Sequence, residues 1–156
     1  MNKCTLTESD FQKLESFALH WRFTDPKYNL LPKNVLETIR PFSVQKAQAI
    51  FQYINEVITP SITATKKDIK ADHDNPSQTK KALAALFPSL EETEIILSYG
   101  NDEAIFTSLG TFCEYWDDFC YPGSDDIVIF PLNEQWTLAY NHHEVFQITY
   151  KAPYVV

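Results

Sequence analysis

Glycine is scarce in this sequence, and its scarcity excludes several kinds of nucleotide site. The 156 residues include only three glycines, Gly100, Gly110 and Gly123, which lie ten or more positions apart. Phosphate-binding loops and dinucleotide turns need clustered glycines, because backbone N–H groups must approach the ligand closely. The sequence therefore contains neither kind of loop.

Paired cysteines and long apolar runs are also missing. The three cysteines, Cys4, Cys113 and Cys120, lack the paired spacing of a disulfide framework in a small secreted domain. No apolar run approaches the roughly 18 residues that a membrane-spanning helix needs. The start of the sequence does not have the pattern of a signal peptide. We therefore expect a cytoplasmic protein without a membrane partner.

Basic residues are absent from a long stretch of the chain. Residues 82–150 contain no lysine or arginine but twelve acidic residues, and the net charge of the whole chain is −8. Nucleic-acid binding needs a basic surface, so a nucleic-acid partner is not expected. A basic protein is favoured as the partner, since complementary charges steer association. The alternative is that the negative charge serves solubility alone.

The remaining composition is typical of one globular domain. Apolar residues make up 44% of the chain and aromatic residues 14%. A chain of this length can bury a core without disulfides. We expect a single domain over residues 1–156, and the sequence does not indicate an oligomeric state.

The beginning of the sequence predicts two helices separated by a turn. Thr7 and Asp10 form a capping box, and the apolar residues after them recur at helical spacing. This helix is expected to end before the turn dipeptide at residues 25–26. A short helix is predicted over residues 32–40, which Pro41 closes.

Two further helices follow, with a loop between them. Ser43 caps a helix with a clear apolar stripe. Pro76 occupies the first position of another helix, where its missing N–H is not needed. The residues between them at 61–75 are polar and charged, and they predict a mobile surface loop.

The segment after residue 90 is less regular. Residues 94–99 have an apolar centre that fits either a strand or a short helix. Asn101 is placed to cap a helix that contains Ile105, with Gly110 as its C-terminal cap. Thr111 then begins a new capping box.

The C-terminal part changes to a period of two, which is typical of strands. Residues 127–130, 136–140 and 146–150 are strand candidates separated by turns. They predict a three-stranded antiparallel meander. Because helices come first and strands last, the predicted fold class is α+β, with N-terminal helices packed on a C-terminal antiparallel sheet of three or more strands.

A histidine pair near the C-terminus is the best candidate for a metal site. His142, His143 and Glu144 are consecutive, and imidazole and carboxylate groups bind zinc and iron. With Asp125 or Asp126 they define an alternative function, a metal-assisted hydrolase. However, neighbours on an extended chain point in opposite directions. We therefore expect neither a metal nor a cofactor, and histidines that belong to a hairpin turn.

Nucleophilic and acid–base chemistry find little support. A reactive thiolate needs electropositive surroundings, whereas Cys113 lies in the stretch without lysine or arginine. Cys113 and Cys120 are therefore predicted to be buried apolar residues. A catalytic carboxylic acid needs a pKa raised by burial or crowding. The sequence favours a protein that is not an enzyme, although it does not exclude one.

Acidic and aromatic residues alternate between residues 114 and 126, a composition that suits a recognition surface. Aromatic side chains supply stiff contact area, and carboxylates accept paired hydrogen bonds from arginine. The predicted partner-binding residues are Glu114, Tyr115, Trp116, Asp117, Asp118, Tyr121, Asp125 and Asp126. The alternative is that Trp116 and Phe119 belong to the core while the aspartates cap turns. A small-ligand pocket lined by aromatic residues is a further alternative.

Residues 115–146 carry a resemblance to known proteins. Their sequence is YWDDFCYPGSDDIVIFPLNEQWTLAYNHHEVF. It resembles small uncharacterised bacterial proteins, including immunity proteins of polymorphic and contact-dependent toxin systems. The resemblance implies a cytoplasmic, non-enzymatic inhibitor that binds a toxin domain, and it transfers no functional residues. Together with the charge distribution, it leads us to expect an acidic protein-binding module that neutralises a basic toxin or nuclease domain.

Overall fold

An antiparallel sheet forms the centre of the molecule. The computed structural model describes residues 6–61 and 66–151. Within them lie seven strands: Arg40–Pro41 (β1), Lys66–Lys70 (β2), Glu94–Ser98 (β3), Ala104–Ser108 (β4), Ile127–Pro131 (β5), Trp136–Asn141 (β6) and Val145–Tyr150 (β7). Their order across the sheet is β1-β4-β3-β5-β6-β7-β2, so that β1 and β2 are its edges.

The helices are short and lie against both faces of the sheet. They are Trp21–Thr24 (α1), Lys33–Leu36 (α2), Val44–Tyr53 (α3), Pro76–Ala84 (α4), Leu109–Glu114 (α5) and Trp116–Phe119 (α6). A π-helical turn at Ile54–Ile58 continues α3, and 3₁₀ turns occur at Glu8–Asp10, Leu14–Ser16 and Thr59–Ser61. In the part of the chain that the structure describes, every helix is too short or too polar to cross a membrane.

Successive residues of β3 enter two separate hydrophobic clusters. Ile95 and Leu97 belong to the larger one, whereas Ile96 belongs to the smaller one. Since neighbouring strand residues point to opposite faces, the clusters lie on opposite sides of the sheet. Helix α3 covers the smaller cluster with Ala47 and Ile50. The larger cluster contains residues of α5 and α6, among them Phe112 and Phe119.

The α+β class is confirmed, and so is the C-terminal meander. β5 pairs with β6 and β6 with β7, all antiparallel. The sheet is larger than a three-stranded meander, because β3, β4, β1 and β2 extend it on both sides. The expected helix caps at Ser43 and Pro76 are also confirmed: Ser43 accepts a hydrogen bond from the backbone of Lys46, and Pro76 begins α4.

The long helix predicted after Thr7 is wrong. The capping box of Thr7 and Asp10 is present, but it opens only a 3₁₀ turn. Phe11 then adopts an extended conformation and packs with the smaller cluster, while Phe17 is buried in the larger one. A continuous helix could not place these two side chains on opposite sides of the sheet. The apolar spacing therefore reflects two separate clusters.

The helix predicted from Asn101 is also wrong, because these residues form strand β4. Ile105 enters the larger cluster and Phe106 packs on the smaller one. A short apolar run buried on both faces looks alike in a strand and a helix. Gly110 is the second residue of α5 rather than a C-terminal cap. For residues 94–99 the sequence allows a strand or a short helix, and the structure shows a strand, β3.

The loop predicted at residues 61–75 contains strand β2. This strand has only one apolar residue, Ile69, in the sequence KKDIK, so it lacks the hydrophobic alternation of a strand. All five of its residues pair with β7. Residues 62–65 of the predicted loop lie outside the described residues.

Candidate functional site: an aromatic face supported by a buried ion pair

A buried ion pair joins the beginning of the chain to its acidic second half. Arg22, in α1, donates two hydrogen bonds to Asp125, at 2.6 Å and 3.0 Å. Arg22 is only 5% exposed, and Asp125 is also buried. The Asp125 carboxylate also accepts a hydrogen bond from the backbone N–H of Tyr121 at 2.8 Å. This pair therefore fixes the loop after α6 against α1.

The charge of Arg22 is maintained despite its burial. Burial acts to lower the pKa of the guanidinium, but the hydrogen bond and charge of Asp125 outweigh it and raise that pKa above its ordinary value. The guanidinium carbon also lies 4.3 Å from the centre of the Tyr121 ring, a cation–π distance. A buried arginine of this kind keeps Tyr121 in one position.

Aromatic rings from two distant segments meet above this arginine. The ring of Trp21 lies 4.6 Å from that of Tyr28 and 5.3 Å from that of Tyr121. Tyr28 and Leu30 are 51% and 56% exposed, the highest values among large hydrophobic residues in the described chain. We refer to Trp21, Tyr28 and Tyr121, together with the exposed Leu30 two residues after Tyr28 in the chain, as the aromatic face.

Asp118 of α6 borders the aromatic face, and Asp117 precedes it in the same helix. Asp118 accepts a hydrogen bond at 2.9 Å from the side chain of Asn29, which lies between Tyr28 and Leu30. Burial is the main cause that raises the pKa of Asp118 to about 6; the hydrogen bond from Asn29 opposes the change, and the charge of Asp117 adds to it. Asp117 itself is half-buried. The face thus combines apolar rings with negative charge.

The predicted partner-binding residues are not equally accessible. Trp116 is fully buried and donates its indole N–H to the backbone of Pro76 at 3.0 Å. Phe119 is fully buried as well, and Asp118 and Asp125 are buried within the fold. These buried side chains therefore pack inside the fold and offer no surface to a partner in this conformation.

Three other predicted residues make contacts elsewhere on the chain. Glu114 is exposed and forms an ion pair with Lys80 of α4. Tyr115 is half-buried and packs on the larger cluster. Asp126 is exposed and accepts a hydrogen bond from the backbone of His142 at 3.1 Å. Of the eight predicted residues, Tyr121 belongs to the aromatic face and Asp118 lies at its border.

The histidine pair forms a hairpin turn between β6 and β7. Nδ1 of His142 lies 3.0 Å from Asp126, and hydrogen bonds from His142 lower the pKa of that carboxylate. Asp125 instead faces Arg22. Across residues 6–61 and 66–151, no group of three or more histidine, cysteine, aspartate or glutamate side chains is arranged to hold a metal ion.

The two described cysteines are buried free thiols, as the sequence predicts. Burial raises the pKa of the Cys113 thiol to about 12, and it raises that of Cys120 well above its ordinary value. A thiol with so high a pKa is protonated at neutral pH and is a poor nucleophile.

Sequence reasoning missed the N-terminal half of the aromatic face. Residues 28–31 lie between the two predicted N-terminal helices and contain no motif, and Arg22 lies 103 positions from its partner Asp125. The available signal is the pair Tyr28 and Leu30, two large apolar residues in a segment with no helical or strand periodicity. Apolar side chains in such a connector are candidates for an exposed contact surface.

Comparison with known proteins found no match for this chain among protein-family models, curated proteins or solved structures.

Proposed function

We propose that this chain is a non-enzymatic protein-binding module, and that the aromatic face is its contact surface. In its most concrete form, the proposal is an acidic immunity-type inhibitor that neutralises a basic toxin or nuclease domain in the cytoplasm. The observation that carries it is the exposure of Tyr28, whose ring contacts Trp21 beside Tyr121, together with the exposure of Leu30 two residues further along the chain. Exposed aromatic clusters in a stiff setting are typical of binding hot spots.

The support beneath the face favours binding without rearrangement. Tyr121 is held by Arg22 and Asp125 through a cation–π contact and a backbone hydrogen bond. The hydrogen bond from Asn29 to Asp118 anchors the segment that carries Tyr28 and Leu30. Side chains that are already ordered lose little entropy when a partner binds.

The charge of the chain supports a basic partner. Asp118 borders the aromatic face, and residues 82–150 supply twelve acids without a single lysine or arginine. Such a field accelerates the approach of a cationic surface. Arginine side chains of the partner would stack on the rings and pair with carboxylates at the border.

The metal-assisted hydrolase has weaker support. Asp125 faces Arg22, and although His142 contacts Asp126, no group of three or more possible ligands is arranged to hold a metal ion in the described part of the chain. Binding therefore remains the better explanation of the aromatic face.

Capture of the partner from a cell lysate tests the proposal. The bait variant Tyr28→Ser/Leu30→Ser removes the two exposed apolar side chains of the face. The matched control is Val44→Ser/Val57→Ser, since these residues are 49% and 40% exposed and do not belong to the face. Truncation of a hot-spot side chain costs roughly 2 kcal/mol, so the face variant should bind at least about tenfold more weakly.

The expected result is a basic protein retained by the parent and by the control, weakened by high salt and lost with the face variant. Asp117→Lys should slow association, because it reverses the charge of the residue that precedes Asp118 in α6. Asp118 is unsuitable for charge reversal because it is buried. Equal capture by the parent and the face variant would show that the aromatic face is not the contact surface.

A further inference from the structure

The outer edge of β2 carries backbone groups that no described residue pairs. The N–H of Ala71 donates to the carbonyl of Glu144, at the end of the ladder between β2 and β7. Hydrogen-bonded pairs alternate along an antiparallel ladder, so Ala71 and Ile69 direct their backbone groups towards β7. The N–H and C=O groups of Asp68 and Lys70 therefore point away from the sheet.

Asp68 and Lys70 carry opposite charges on one face of this edge, whereas Ile69 lies with the exposed Lys67 on the other. Asp68 and Lys70 are both exposed, and Asp68 accepts a hydrogen bond from Gln147 at 3.3 Å on the same face. On the opposite face, Ile69 is half-buried. It lines an open groove of about 240 Å³ between β2 and α4, together with Thr79 and Ala82.

We infer that β2 pairs with β2 of a second copy of this chain, in an antiparallel register that places Asp68 of each copy opposite Lys70 of the other. In an antiparallel ladder the partner's residue number falls by one for each step forward along the strand. With Asp68 opposite Lys70, Ile69 therefore lies opposite Ile69 on the twofold axis. The outward groups of Asp68 and Lys70 then form hydrogen-bonded pairs. The two sheets join into one.

Charge selects this register over its neighbour. A shift of the second copy by two residues would place Asp68 opposite Asp68, and like charges directly opposite each other destabilise a strand pair. In the inferred register each Asp68 carboxylate faces one Lys70 ammonium group of the other copy, so the interface contains two such pairs related by the twofold axis. The two Ile69 side chains meet and cover apolar surface at the groove.

The opposite edge of the sheet prevents further growth. β1 has two residues, and Pro41 lacks the backbone N–H that a ladder needs. Strand pairing through β2 therefore closes after two copies instead of continuing as a fibre. One five-residue strand per copy makes a small interface, so we expect a dissociation constant on the order of 10–100 µM.

Sedimentation equilibrium over a range of concentrations tests the inference with charge reversals. Asp68→Lys places lysine opposite Lys70, and Lys70→Asp places aspartate opposite Asp68, so each variant alone should dimerise at least tenfold more weakly. An equimolar mixture of the two variants restores both opposite-charge pairs and should form a heterodimer. The double variant Asp68→Lys/Lys70→Asp should dimerise like the parent.

The control is Asp74→Lys, an equal charge change at an exposed residue beyond the end of β2, which should leave dimerisation unchanged. Thermal unfolding should give similar melting temperatures for all variants, because Asp68 and Lys70 are exposed. A monomeric parent at several hundred micromolar (roughly ten times the expected constant) overturns the inference. A dimer that the single reversals do not weaken overturns it as well.

Discussion

Arg22 shows how one charged side chain can join segments that are far apart in sequence. Its guanidinium pairs with Asp125 and lies over the ring of Tyr121. The Nε atom of the same guanidinium has no hydrogen-bond partner within the described structure. Two charges were removed from water to form this pair, so its main effect is to make the loss of either partner costly.

Removal of Asp125 should strongly destabilise the fold. Asp125→Ala leaves a buried guanidinium unpaired, which costs about 3–5 kcal/mol of unfolding free energy. The adjacent Asp126→Ala is the control, since its pair with His142 is exposed and worth at most about 1 kcal/mol. Urea unfolding of both variants measures the difference. A similar, small loss in both would contradict the structural role of the buried pair.

Asp118 should make the protein less stable as the pH rises. Burial raises its pKa in the folded state from 3.8 to about 6. Between these values the folded protein holds a proton that the unfolded chain has released, so the unfolding free energy falls as the pH rises through this window. Above the folded-state pKa of about 6, Asp118 is ionised in the folded protein, and the full cost of its buried charge lowers the unfolding free energy.

Asp118→Asn removes this penalty and can keep the hydrogen bond from Asn29. The variant should be more stable than the parent by ~2 kcal/mol at pH 7, and the advantage should shrink towards pH 4. Urea unfolding across this pH range measures the difference between the two proteins. An advantage that does not change with pH would show that the carboxyl does not titrate in the window.

At the scale of the elements, α5 begins where the sequence predicted that a helix ends. Ser108 is its N-cap and accepts a hydrogen bond from the backbone of Thr111 at 3.0 Å. Gly110 lies one residue inside the helix, and a Cβ atom there would meet the carbonyl oxygen of Leu90 at 3.5 Å, an ordinary contact. Glycine in a helix is less favourable than alanine because it has more conformational freedom to lose.

Gly110→Ala should therefore stabilise the protein by roughly 0.5–1 kcal/mol. A C-terminal cap would give the opposite result, because its left-handed backbone disfavours alanine. Gly123→Ala is the control: Gly123 has a φ of 73°, so alanine should be destabilising there. Thermal unfolding of both variants distinguishes the two interpretations of Gly110.

The two edge strands, β1 and β2, depend on their neighbours in the sheet and not on their own sequence pattern. β2 has one apolar residue and lies at the edge of the sheet, so its formation depends on the ladder with β7. A strand of this composition has no hydrophobic periodicity of its own. β1 is shorter still and pairs with β4 through Arg40 and Pro41. Both edges thus become strands only because the centre of the sheet is already in place.

At the scale of the whole molecule, the negative charge surrounds a small number of structural cations. Arg22 is buried in its ion pair with Asp125, and Lys80 forms an ion pair with Glu114 on the surface. The remaining acids of residues 82–150 have no lysine or arginine nearby in sequence. The consequence is a negative field that weakens with salt, because a Debye length is only about 8 Å at physiological ionic strength.

The sequence by itself determined the α+β class, the C-terminal meander, the caps at Ser43 and Pro76 and the burial of Cys113 and Cys120. These features depend on local periodicity, on turn chemistry and on the apolar character of single residues. All three can be read from residues that are close together in the sequence.

Only the tertiary structure decided the length of the sheet and the composition of the candidate site. Phe11 and Phe17 repeat at helical spacing but enter clusters on opposite faces, and Ile105 with Phe106 is buried on both sides of a strand. Of the acidic and aromatic segment, Trp116 and Asp125 turned inwards, while Tyr28 and Leu30 came from the other end of the chain. Such outcomes depend on contacts across about a hundred residues, as between Arg22 and Asp125, and no local pattern contains them.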